Sequence, residues 1–301
     1  MGKNKKKGLL RGGAAKGKKR IKAIRREMTS IKSSRAKSEE KKRTEREANV
    51  RKRLKRAVVP YQNTHSMLLV GEGNFSFSAA LVRHWTKLGA KAPGENLVAT
   101  SYDSEAQARE KYPGAKTHIE YLRQSGVRVL FGIDATKLEI SAALHDAANA
   151  LSGKTRFQRI VFQFPHSGCG ISDTEANNKV HRELLGNFLD SAEQMLDPSS
   201  GQIHVTLKRG EPYNSWGFAK LVIKRKQRLL LKTAMDFFPQ KYPGYEHRRT
   251  LGAAAKYARS RDETGVVPNA DILKQGARTY VVVVPAPAAD GDDDGNNKDG
   301  E

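Results

Sequence analysis

The chain has 301 residues and carries 55 Lys+Arg against 32 Asp+Glu, a formal net charge of +23 with a sequence pI near 10.1. That excess points to an anionic partner, nucleic acid first and an anionic membrane surface second. No run approaches the roughly 20 apolar residues of a membrane span and no apolar signal region opens the chain, while the single cysteine, Cys169, excludes an intramolecular disulfide and a cysteine-based zinc cluster. The expectation is a monomer of a reducing compartment, with no metal.

The charge is unevenly spread. Residues 1–56 hold 24 Lys/Arg and five Glu, a net of +19; residues 290–301 carry −5, and residues 57–289 carry +9. This marks a basic arm over 1–56, a globular body over 64–285 and an acidic, low-complexity tail over 290–301. The arm opens KNKKKGLLRGGAAKGKKRIK, which has almost nothing to bury and is expected to be disordered when free. From residue 21 to 56 it lacks Gly and Pro and interleaves Glu39, Glu40, Glu45 and Glu47 with cations, a pattern that suits a solvated helix. Such an arm serves as a nuclear address, as an RNA contact, or as both.

In the body, five short apolar runs read as strands: SMLLVG, NLVATSYD, VRVLFGID, FQRIVFQFP and GQIHVTLK. Helix-compatible stretches at 76–88, 105–112, 135–150, 177–196 and 214–226 fall between or after them. Buried strands alternating with helices predict an α/β fold with a mostly parallel, doubly wound sheet. A later pair, RLLLKTAMDFF and ARTYVVVVP, has no clear helix between its members and is expected to pair antiparallel at one edge. Function in such a sheet sits at the carboxyl ends of the strands.

After the first strand comes Gly71-Glu72-Gly73-Asn74-Phe75-Ser76-Phe77. The glycines permit a sharp turn and close approach of a ligand to the backbone. Ser76 stands where the dinucleotide fingerprint has its third glycine, and Glu72 disfavours a phosphate, so a positively charged ligand such as S-adenosylmethionine fits better than NAD. Asp103 ends the second strand, where it suits a ribose diol, and Asp134-Ala135 ends the third, where the acid suits the adenine amine. Either acid alone equally suits a helix N-cap. The fourth strand ends Gln163-Phe164-Pro165-His166. A buried amide there needs a partner, and an amide, an aromatic and a proline together are similar to the target-base loop of methyltransferases that act on planar nitrogen. Gln163 and the backbone around Phe164 would hold the target N–H, Phe164 or His166 would stack on the base, and His166 or solvent would take a proton. Cys169, in the glycine-rich loop that follows, reads as a small loop residue rather than a nucleophile.

Taken in order, LLVGEGNFSFSAAL, ATSYDS, GIDAT, FQFPHSG, IHVTLKRGEPYNSWG and FPQKYPGYEHRRTLG closely resemble the 25S rRNA (uridine-N3)-methyltransferase-like domain. The resemblance runs over 67–252 and takes in 281–284. It implies a Rossmann-like, class I S-adenosylmethionine-dependent methyltransferase acting on N3 of a uridine in large-subunit rRNA, in the nucleus and nucleolus. Carried residue by residue, it makes Gly71, Glu72, Gly73, Asn74 and Phe75 the methionine-side loop, Asp103 the ribose ligand, and Asp134 with Ala135 the adenine side. Residues 163–166 become the target-base loop, with Gln163 standing where asparagine is more usual. Lys208 and Arg209, after the fifth strand, then suit an RNA phosphate or charge developing on a uracil carbonyl. Tyr245, Arg248 and Arg249 interleave an aromatic with cations and suit base stacking and phosphate contact. The rival readings are a non-catalytic RNA-binding assembly factor that retains the fold, and a methyltransferase of tRNA or of another base.

Overall fold

The computed structural model describes residues 7–151, 156–248 and 269–285 and falls into two units, 1–57 and 58–301. In the first unit a single helix, α1, spans Lys7–Arg56. It begins well before residue 21, where the sequence pattern predicts it. No proline interrupts its hydrogen bonding, and the Ala, Lys and Arg around its glycines are good helix formers, so the glycines weaken the helix without ending it. From residue 31 on its residues are almost all exposed.

The second unit is a seven-stranded sheet covered by helices. Its strands are β1 Met67–Val70, β2 Leu97–Thr100, β3 Arg128–Leu130, β4 Arg159–Gln163, β5 Gln202–Lys208, β6 Leu230–Phe237 and β7 Ala277–Val283. They lie in the order β3-β2-β1-β4-β5-β7-β6. The first five are parallel, and β7 runs antiparallel to both of its neighbours. The expected antiparallel edge pair is therefore present, with the later strand inserted between β5 and β6. Every residue of β1 and β2 is buried, which is why those segments read as unbroken apolar runs rather than alternating ones.

Alternation reappears in which layer each residue serves. Leu68 and Val70 of β1 join Ile160 and Phe162 of β4 in a core under α6 (Thr174–Gln194), while Met67 and Leu69 face the opposite core with α2 (Ser76–Lys87). α6 begins where Asp173 accepts a hydrogen bond from the Ala176 N–H at 2.7 Å. α3 (Glu105–Lys111) opens on a capping box between Ser104 and Gln107.

Two helices have no counterpart in the sequence reading. α4 (Ala115–Gln124) follows Pro113-Gly114, and α8 (Ala270–Gln275) lies just before β7. Two others are shorter than the pattern predicts: α5 spans Ala142–Asn149 after a 3-10 turn at Leu138–Ile140, and α7 spans Phe218–Ile223. The strand order reverses between β1 and β4, and at such a switch point the flanking loops part to leave a crevice. No helix among the described residues is long and apolar enough to cross a membrane.

Candidate active site

A cavity of about 540 Å³ opens at that switch point, lined by the residues after β1, β2, β3 and β4, by α6 and by residues 245–248. The first loop is shaped by what it cannot accommodate. Gly71 has φ +67°, and a Cβ there would lie 2.6 Å from Phe162 Cε2. A Cβ on Gly73 would meet the Tyr112 ring at 3.3 Å. Gly71 therefore needs glycine for both space and conformation, whereas at Gly73 the fit is only tight. Phe75, likewise in the left-handed region at φ 59°, is the N-cap of α2, with its ring edge-on to Phe131 at 5.6 Å.

Within the loop, Asn74 Oδ1 accepts the Ser76 N–H at 3.2 Å, and the Asn74 carbonyl accepts from His118 Nδ1 at 2.8 Å. Asn74 Nδ2 is buried without a partner among the described residues. Glu72 is buried as well, accepting from the Ser78 N–H at 3.1 Å and from the Ser78 hydroxyl. Burial pushes its carboxyl up from 4.5 to about 7, against the pull of those hydrogen bonds.

Both strand-end acids reach the cavity, and neither is a helix cap. Ser104 caps α3, while Asp103 accepts from Lys111 Nζ at 2.5 Å, a lysine that also lines the cavity. Asp134 Oδ1 accepts the Thr136 N–H at 2.8 Å and the Thr136 hydroxyl at 2.7 Å, a local turn that holds the carboxylate at the wall beside Ala135.

At the end of β4, Gln163 lines the cavity with both amide atoms buried and without a partner among the described residues. Leaving such a group unpaired costs about 1–3 kcal/mol. Phe164, next along, is held at φ 52°, strained for an aromatic residue. Its ring packs on His247 at 4.5 Å and edge-on to Phe237 at 5.5 Å. His166 is exposed on the cavity wall, with Nδ1 accepting the Gly168 N–H at 3.1 Å. Cys169 is exposed and is not among the lining residues.

The residues expected to meet RNA divide. Arg248 lines the cavity and pairs with Glu246 at 2.8 Å. Tyr245 does not offer a stacking face: it is buried in an aromatic cluster with Phe77 and Phe237. Lys208 is only 5% exposed, with its ammonium 3.5 Å from Asp271, and Arg209 pairs with Asp236. Neither lines the cavity, so in this conformation Lys208 braces β5 against α8 from a buried position, and Arg209, partly exposed, ties the end of β5 to β6. Arg249 lies outside the described residues, as does the acidic tail.

Several lining residues escaped the sequence reading. Lys111 and Tyr112 lie on or just after α3, and His247 follows the buried Tyr245. From α6 come Val180, Glu183, Leu184 and Asn187. Their i, i+3, i+4, i+7 spacing is itself a signal: two polar residues stand on a stripe that would otherwise be core. Among the described residues no cluster of His, Cys, Asp and Glu could hold a metal ion.

Known proteins resemble this chain in sequence. Residues 68–249 match the model of a family described as rRNA (uridine-N3-)-methyltransferase BTM5-like. An uncharacterized Arabidopsis thaliana protein, At4g26485, is 36% identical over 195 residues, covering 64% of this chain and 85% of that one. The 25S rRNA (uridine(2634)-N(3))-methyltransferase of Saccharomyces cerevisiae is 31% identical over 250 residues, 68% of this chain and 72% of that protein. A ferredoxin-fold anticodon-binding domain-containing protein 1 homolog from Mus musculus is 35% identical over 60% of this chain but only 27% of its own. Among solved structures, a methyltransferase homolog protein from Pyrococcus horikoshii aligns at a TM-score of 0.35 and 15% identity, covering 74% of this chain and 62% of that one. The family model covers more than half of the chain and runs from β1 through the last loop of the cavity, so the chain belongs to the rRNA (uridine-N3-)-methyltransferase BTM5-like family.

Proposed function

We propose that this chain methylates N3 of a uridine in large-subunit rRNA, with S-adenosylmethionine as methyl donor. The observation that carries the reading is Gln163: a buried amide with both polar atoms unpartnered, in the same cavity as the glycine loop and the two strand-end acids. An amide presents one donor and one acceptor, the complement of the adjacent N–H and carbonyl of a uracil edge.

The cofactor fits the residues present. Gly71 and Gly73 line the cavity with backbone that carries no Cβ, and Asn74 has an orphaned amide nitrogen beside it. Glu72 is an acid to which a bound cation would restore its charge. Asp103 would hold the ribose hydroxyls, Asp134 the adenine amine, and Ala135 the adjoining apolar wall. When bound, S-adenosylmethionine supplies a methyl group on a positively charged sulfur.

The chain's own residues then have a limited task, which is to orient and to move one proton. Gln163 holds the uracil edge, and the backbone at the strained Phe164 turns the loop toward the cavity. His166, once its Nδ1 releases the Gly168 N–H, or solvent takes the N3 proton, which must leave because that nitrogen's lone pair is delocalised into the flanking carbonyls. Positioning of this kind supplies roughly 7–11 kcal/mol of a barrier when the geometry is right. Swinging the uridine out of its stack costs a few kcal/mol, least in a loop. Arg248, at the cavity wall, is the cation at hand for a flanking phosphate. The +19 arm serves as a nucleolar address and an added RNA contact.

Mass-spectrometric nucleoside analysis of rRNA from cells lacking the protein tests the reaction. Loss of 3-methyluridine is expected. Loss of a different modified nucleoside, or loss confined to tRNA, would redirect the target. An unchanged profile, together with no heat on titrating the folded protein with S-adenosylmethionine, would leave a non-catalytic RNA-binding protein.

A further inference from the structure

The loop after β4 is held from beneath by a side chain with no role in the reaction just described. His181, on α6, is fully buried. Its Nδ1 lies 2.8 Å from the Asn177 carbonyl oxygen, which can only accept, so Nδ1 carries the proton. Nε2 therefore presents a lone pair, and the Ser167 backbone N–H donates to it at 3.3 Å, with Ser167 Oγ at 3.5 Å. The ring lies flat on the Trp216 indole, with 4.1 Å between centroids and 5° between planes. His166 meets it edge-on at 4.5 Å. Burial holds the imidazole below its ordinary pKa, which keeps Nε2 an acceptor.

The rotation, tautomer and charge of this ring are thus all fixed, and what it holds is an unusual piece of backbone. Phe164 and Gly168 both sit in the left-handed region, at φ 52° and 68°. A free peptide does not keep that shape, so it needs anchors. One is the Phe164 N–H, donated to the Thr206 carbonyl at 2.9 Å. The other is Ser167 on His181. Simple packing on Trp216 would be met by an apolar ring without the cost of burying two polar nitrogens.

We propose that His181 is a positioning residue of the methyl-transfer site. By accepting the Ser167 N–H, it sets the loop that carries His166 and follows Gln163 at the cavity wall. The proposal rests on the reading of residues 163–166 as the target-base loop, and its test has one arm that does not use the reaction.

His181→Phe keeps a flat ring on Trp216 but offers Ser167 no acceptor. His181→Gln places an amide oxygen near the position of Nε2. Backbone hydrogen exchange over residues 164–170 of the full chain reads the positioning directly. His181→Phe is expected to speed exchange there about tenfold while the sheet is unchanged, and His181→Gln to return it close to the wild-type rate. With an in vitro transcript of large-subunit rRNA and radiolabelled S-adenosylmethionine, His181→Phe is expected to lower kcat about tenfold or more and leave the cofactor KM within about twofold. His181→Gln is expected to recover most of that kcat. Unchanged loop exchange in His181→Phe overturns the proposal, and so does an equal loss in both variants. A wild-type chain that protects the loop yet methylates no RNA would overturn the proposed reaction, while the exchange result still decides the role of His181.

Discussion

Ser76 and Glu246, 170 residues apart, hold each other twice: the Ser76 hydroxyl donates to the Glu246 carbonyl at 2.9 Å and accepts the Glu246 N–H at 3.0 Å. The residue standing in place of a third glycine is thus a tether, fastening residues 245–248 over the cofactor loop. Ser76→Ala is expected to destabilise the body by about 1–2 kcal/mol, since it leaves two backbone groups short of a partner. It is also expected to weaken cofactor binding several-fold. Thermal unfolding and calorimetric titration measure the two, and no change in either would mean that the tether is idle.

Gly71 tolerates less. A Cβ 2.6 Å from the Phe162 ring, added to a left-handed backbone, leaves Gly71→Ala no relaxed conformation. The expected outcome is loss of cofactor binding with a stability cost of about 2 kcal/mol or more. Gly73→Ala, whose Cβ comes no nearer than 3.3 Å to the Tyr112 ring, should bind measurably. Equal behaviour of the two variants in titration would count against this account of the loop.

Glu72 makes the body pH-sensitive. Its folded pKa, about 7, lies above the ordinary 4.5, so its protonated form is the one folding favours. That contribution is complete below pH 4.5 and is lost as pH rises through 7. Glu72→Gln removes the loss, and at pH 8 it should be more stable than wild type, by up to about 3 kcal/mol. Cofactor affinity should move the opposite way. A cation pairs with the ionised acid, so wild-type affinity climbs between pH 6 and pH 8 while that of Glu72→Gln stays nearly level. Parallel pH profiles for the two proteins would refute the role given to Glu72.

Gln163 separates stability from turnover. Gln163→Leu removes two orphaned polar atoms and is expected to stabilise the fold by about 1 kcal/mol while cutting methylation about 100-fold or more. Gln163→Asn keeps the amide one methylene shorter and should retain measurable activity. Denaturant unfolding and a methyl-transfer assay decide this, and a Leu variant with wild-type turnover would remove Gln163 from the site.

Deleting residues 1–56 should weaken RNA affinity and flatten its dependence on salt, because 24 cations leave with the arm. Cofactor binding should stay as it was. Filter binding over a range of salt concentrations reads the slope, and an identical slope would leave the arm only an address.

The strand ends were legible because buried strands and glycine turns impose local rules. MLLV ahead of Gly71, and IVFQ ahead of Phe164, could be placed without knowing their neighbours. The roles of Lys208, Arg209 and Tyr245 were not, because charge and aromaticity say what a side chain can do but not which way it faces. Asp271 and Asp236, which pair with those cations, lie 63 and 27 residues further along the chain. His181 was hidden for the same reason, since its value comes from Ser167 and Trp216, and neither is its neighbour on α6. Helix α4 was missed through its start, where Pro113-Gly114 reads as a loop and its N-cap Gly114 offers no capping side chain.

The place of β7 has a consequence for how the body is made. It follows every other described strand in sequence yet lies inside the sheet, bonded along its length to β5 and β6. Until it has left the ribosome, β5 presents an open edge and β6 has no neighbour to hold it. The half that carries the glycine loop and the strand-end acids can assemble earlier, as β3-β2-β1-β4-β5. A chain cut short before Gly276 would keep most of its cofactor-facing residues and lose its solubility, because an unpaired parallel edge recruits other chains.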